Sequence, residues 1–257
     1  MTMADDVGVR LSAAYALGTK DALEQWAATG RPGVRLLREF LDGTWEPAPA
    51  TGVFGRDLVD NTSALVAAIA EAEPEAFLEL FEGDRYGANG LVLVGLGRID
   101  DERATQRLAD AAGSSDQWIR MDVAIGLGRR ASEIASRVLA GLLSDREWIV
   151  RAAARDSLCR MGEVATAAVT RALWEGDPFA ANNAAEVLFQ TGATATLIDR
   201  LLKQPEDVEL RRLVERLMTA SGPQIARAVY DQLEPDHQTE LERVLTDALA
   251  VVRKRAR

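Results

Sequence analysis

The chain has 257 residues, 47% of them hydrophobic but only 5% aromatic, and a formal net charge of −10. Alanine and leucine carry most of the apolar load, which favours helix over strand, and the acidic balance repels phosphate backbones, so no nucleic-acid partner is expected. One cysteine, Cys159, and one histidine, His237, exclude an internal disulfide and a Cys/His zinc site; no cofactor and no metal are expected.

The opening "MTMADDVGVRLS" lacks the basic and apolar regions of a signal peptide. No apolar run approaches the roughly 18 residues that a membrane span needs. The expectation is a cytoplasmic protein with no membrane contact.

The first element is "VRLSAAYALG". With Val9 as position 0, Ala13, Ala16 and Leu17 fall at +4, +7 and +8, one stripe of a helix. Next comes "LDGTWEPAPATGVFGRD", whose Pro47, Pro49, Gly52 and Gly55 mark a loop insertion near 43–57. Trp45 and Phe54 on this loop either pin it down or meet a partner. A weaker copy of the stripe starts at Leu58, followed by the apolar-periodic "PEAFLELFEG".

The template then returns in "GANGLVLVGLG" from Ala88, "DQWIRMDVAIGLG" from Ile119 and "DREWIVRAAARDSLCRMG" from Val150. It returns again in "FAANNAAEVLFQTG" from Ala180, "LRRLVERLMTASG" from Leu210 and, weakly, at Leu241. The starts are 9, 58, 88, 119, 150, 180, 210 and 241, so the gaps are 49, 30, 31, 31, 30, 30 and 31. A second periodic segment lies between successive copies from Leu58 on, for example "ERATQRLADAAG" and "SEIASRVLAGLLSD". The unit is helix, turn, helix, and stacking the units buries stripes that one pair alone leaves exposed.

Small residues at +7 (Ala16, Gly95, Gly126, Ser157) let neighbouring helices approach, while Val187 and Leu217 there predict a change of stacking. Asp6, Asp84, Asp116, Asp145, Asp177 and Asp207 precede helix starts as N-cap candidates. Arg10, Arg120, Arg151 and Arg211 recur at +1. Read together, Asp116 and Asp145 with these arginines form a structural ladder that ties each turn to the next unit. Cys159 falls at +9, where other copies carry unrelated residues, and carries no catalytic role.

"VRLSAAYALG" and "VRAAARDSLCRMG" resemble the VR-x-x-A-A-x-A-L-G signature of HEAT repeats, and the short period is similar to the bacterial HEAT-like repeats of phycobilisome lyases. The resemblance implies an all-α fold, a right-handed α-α superhelix of the HEAT/armadillo solenoid type with about seven helical hairpins. It implies a single solenoid over 1–257, with the second helices of the pairs lining the concave side. Members of the family are usually scaffolds or adaptors, and a minority are enzymes or lyase subunits. Nothing in the chain marks a bilin site, so lyase activity does not carry over.

With the stripe buried, +2, +6 and +9 face outward. Read along the chain they are apolar in front (Leu11, Tyr15, Val94, Met121, Ile125) and polar behind (Asp156, Asn182, Glu186, Arg212, Arg216). An outward apolar patch marks an interaction site. Val94, Met121 and Ile125, flanked by Tyr15, are the candidate partner-binding groove; the alternative is that the loop covers them. Trp118, Trp148 and Phe179 are read as filler between repeats. The basic end 253–257 is read as the tail of a helix, or as a weak, salt-sensitive contact for an acidic partner or a membrane surface.

The function expected is a non-catalytic scaffold that binds a protein or peptide along the concave face. A toxin-immunity-like role and homo-oligomerisation are two forms of it. The alternatives are a HEAT-like enzyme such as a DNA glycosylase, in which Trp118, Trp148 and Asp122 would act, or a lyase or chaperone subunit.

Overall fold

The computed structural model describes residues 3–48, 56–82, 86 and 89–245. Among them there are helices and turns and no strand. Two compact units divide the chain, Met1–Gly126 and Leu127–Arg257.

The first unit contains α1 (Met3–Leu17), α2 (Lys20–Ala27), α3 (Arg31–Leu41), α4 (Arg56–Ala72), α5 (Pro74–Leu80), α6 (Gly90–Leu96) and α7 (Glu102–Ala111). α8 (Gln117–Leu127) reaches the boundary. α1 packs on α4 and α4 on α6, which makes one layer; α3 and α5 pack on each other in a second. α8 joins the first layer through two glycines. A Cβ on Gly97 would come within 3.0 Å of the Gly126 Cα. Gly95 has a different reason to be small, since a Cβ there would overlap the Phe77 ring.

The second unit contains α9 (Glu133–Leu142), α10 (Trp148–Met161), a 3-10 turn over Gly162–Ala165, α11 (Thr166–Glu175) and α12 (Pro178–Gln190). It continues through α13 (Ala193–Lys203), α14 (Val208–Ala220), α15 (Pro223–Asp231) and α16 (Pro235–Val244). α10, α12 and α14 form one layer; α9 and α11 lie together in the other. Gly162 and Gly192 follow α10 and α12 with φ of 58° and 78°, positive values that glycine adopts at low cost; Gly192 takes the left-handed conformation common after a helix end.

The repeat register places the core. Positions 0, +4, +7 and +8 of the copies from Ile119, Val150, Ala180 and Leu210 are all buried, Val187 and Leu217 included. Val123 and Val150 are fully buried, and Asp156 is exposed. Each such aliphatic side chain contributes about 1.5–3 kcal/mol of burial. Ala88, a start in the sequence reading, and Asp84 lie outside the described residues.

The first copy departs from its expected register. Val9 and Leu17, placed in the stripe, are 61% and 62% exposed, while Val7, Leu11 and Ala14 are buried. Leu11, read as outward, is 1% exposed. α1 is apolar on more than one side, so the template fits it twice, two residues apart, and packing on α2 and α4 chooses between the fits. The insertion differs too. α2 and α3 precede the loop, so the extra length between copies is partly the helix α3.

Candidate docking surface

On α8, Trp118, Met121, Asp122 and Ile125 stand at i, i+3, i+4 and i+7, which places them on one face. Trp118 is 53% and Ile125 40% exposed; Met121 and Asp122 are half-buried. A helix surface facing water ordinarily carries polar residues here. Val94 of α6 is also half-buried.

The carboxylate in this apolar setting is unusual. Asp122 makes no hydrogen bond or ion pair among the described residues. Burial, and secondarily the nearby charge of Asp116, raises its pKa from 3.8 to about 6, because removal from water penalises the charged form. Acidic side chains on α10 and α12 of the second unit, by contrast, are partnered. The Arg155 Nη1 donates to Glu186 Oε2 at 2.9 Å and its Nε lies 3.6 Å from Asp156. Cys159 Sγ donates to Gln190 Oε1 at 3.1 Å, and Gln190 donates to Glu186. Burial pushes the Cys159 thiol up, which suits an inert structural cysteine.

Three of the recurring arginines share one geometry. Arg120 donates to the carbonyls of Ser114 (2.8 Å) and Ser115 (3.1 Å), and Arg151 to those of Asp145 (2.6 Å) and Arg146 (3.0 Å). Arg211 donates to the Pro205 carbonyl. Each reaches back six residues to the turn that leads into its own helix. Arg120 is buried, only 6% exposed. Arg10 is not of this set: it pairs with Asp6 within α1 and reaches the Gln25 carbonyl. Asp116 and Asp145 accept from the backbone two residues on, at Trp118 and Glu147. Asp177 and Asp207 are true N-caps, bonded to the Ala180 and Leu210 amides. Asp6, expected as a cap, lies inside α1.

The remaining candidates scatter. Tyr15 on α1 packs edge-on against Phe40, centroids 5.4 Å apart, and α4 stands between α1 and α6. The Trp45 ring lies against Gly8, and the Ala48 amide donates to Ser12 Oγ at 3.0 Å, so this part of the loop is fastened to α1. Phe54 and 253–257 lie outside the described residues. The expectation that Trp118, Trp148 and Phe179 fill space between repeats is corrected: they are 53%, 70% and 61% exposed. They stand in the first turn of their helices, where the side chain points back over the preceding turn and not into the stack. Arg151 sits 4.9 Å from the centre of the Phe179 ring. His237 is exposed in the first turn of α16.

One feature had no signal beyond small residues on α9 and α11. A cavity of about 320 Å³ lies between α9 and α11, floored by Ala140, Gly141, Ala167, Ala168 and Ala172, with Arg171 on its lining.

A family model described as HEAT repeats matches residues 74–159. This part of the chain is similar to HEAT repeats. The matched span runs from α5 through most of α10 and contains the Trp118–Ile125 face. Of the solved structures, an engineered protein is similar over 98% of this chain and 83% of its own, at 14% identity and a TM-score of 0.40, a likeness too remote to argue from. Comparison with curated proteins finds no match. Among the described residues no helix is long and apolar enough to cross a membrane, and no three potential metal ligands cluster.

Proposed function

We propose that this HEAT-repeat chain is a non-catalytic, cytoplasmic scaffold that binds a protein or peptide. HEAT repeats generally serve in protein interaction. The observation that carries the reading here is the exposed apolar face of α8, Trp118, Met121 and Ile125, with Val94 on α6. Exposed large side chains grouped this way lower the free energy of an association that covers them. Trp118 is the residue type that most often dominates such interfaces. The surroundings of the single cysteine and the single histidine agree with a non-catalytic role. Cys159 is held as a thiol by burial and bonded to Gln190, and His237 is exposed on α16.

The test is in-cell crosslinking with residue-level mapping, on the unaltered chain and on Met121→Asp with Ile125→Asp. Crosslinks gathered on α6 and α8 and lost in the folded double variant are the expected result. A partner set and self-association unchanged by the double variant would overturn the reading.

A further inference from the structure

We propose that the α8 face of the first unit receives a basic segment of a partner protein, a Lys or Arg flanked by apolar side chains, with Asp122 taking the cation and Trp118, Met121 and Ile125 the flanking hydrocarbon. The inference rests on the scaffold reading and adds the chemistry of the partner.

Three independent observations point to it. First, among the described residues the Asp122 carboxylate has no partner on its half-buried apolar surface, whereas Asp156 and Glu186 on α10 and α12 share Arg155. A carboxylate partly removed from water interacts more strongly with an incoming cation than one in bulk solvent. Its two oxygens fit a guanidinium bidentately. Second, the neighbour opposite is Gly90, where an added Cβ would stand 2.8 Å from Asp122 Oδ2; the small residue leaves the carboxylate its room. Third, the spacing Trp118, Met121, Asp122, Ile125 is that of a helix presenting anchors to a partner segment, and the exposed indole offers a cation–π platform one turn from the carboxylate. A chain of net charge −10 also attracts a basic segment at long range and repels an acidic one.

The experiment pans a random dodecapeptide library on phage against the full chain. Enriched peptides are expected to carry Lys or Arg between apolar residues. Resynthesised, they are expected to lose about tenfold or more in affinity on Asp122→Asn and on Ile125→Asp. Thermal melting shows whether each variant is folded. Enriched peptides that bind Asp122→Asn as tightly as the parent, or that are acidic, overturn the inference. If those peptides still fail on Met121→Asp with Ile125→Asp, the scaffold reading stands alone. No enrichment above the bare support removes both.

Discussion

The Asp122 carboxylate lies against Gly90 of the neighbouring helix, so close that a methyl group at position 90 would sit 2.8 Å from Oδ2. The pair joins a charge with no counter-ion among the described residues to a position where an added side chain would displace the carboxylate. It ties the packing of α6 and α8 to the electrostatics of the candidate docking face.

The charge at position 122 makes stability depend on pH. Its folded pKa of about 6 lies above the ordinary 3.8, so the folded state binds the proton more tightly than the unfolded one. The contribution is present in full below about pH 4 and is lost as pH rises through 6. Asp122→Asn keeps the shape without the charge. It is predicted to raise stability at pH 7.5 by about 1 kcal/mol, after allowing for solvent screening of a half-exposed group, and to leave it unchanged near pH 4. Thermal melts of both proteins across pH 4–8 measure the difference.

Glycines 95 and 126 separate two costs. Alanine gains about 1 kcal/mol over glycine in a helix interior. At Gly95 the new methyl meets the Phe77 ring, which is fully buried and cannot retreat. Overpacking of about 1–3 kcal/mol exceeds the gain, so Gly95→Ala is predicted to destabilise. At Gly126 the nearest atoms are the buried Leu108 methyls at 3.2 and 3.3 Å and the Gly97 Cα at 3.4 Å, a smaller overlap than at Gly95, and Gly126→Ala is predicted to cost less than Gly95→Ala. Denaturant midpoints of the two variants decide this.

The first repeat offers a test of register. Leu11 is 1% exposed and Val9 61%. Leu11→Ala is predicted to cost about 2–5 kcal/mol and Val9→Ala less than about 0.5 kcal/mol. Equal costs, read from chemical denaturation, would contradict the placement of α1.

The arginine clamps predict local effects. Arg120→Met retains the buried hydrocarbon but removes the donors to Ser114 and Ser115. It is predicted to cost about 1–3 kcal/mol and to speed amide exchange in the α7–α8 turn. Arg10→Met removes a half-exposed ion pair and is predicted to cost under about 1 kcal/mol. Hydrogen exchange on the two variants distinguishes a clamp from a surface pair.

The spacing of apolar residues was sufficient to define the helical repeats from Ile119 to Met218, because 3.6-residue periodicity and a 30- or 31-residue period are local and recurrent. Asp177 and Asp207 were legible as caps for the same reason: a cap bonds within three residues of itself. Other features depended on contacts between distant segments. α1 offers two stripes that satisfy the same template, and only its packing against α2 and α4 selects Val7, Leu11 and Ala14. Trp118, Trp148 and Phe179 are hydrophobic by composition, yet their place in the first helical turn turns them to solvent. In the sequence Asp122 enters only through the glycosylase alternative. Its isolation follows from the apolar neighbours and the glycine that the fold brings to it, and those long-range neighbours set its hydration and its charge.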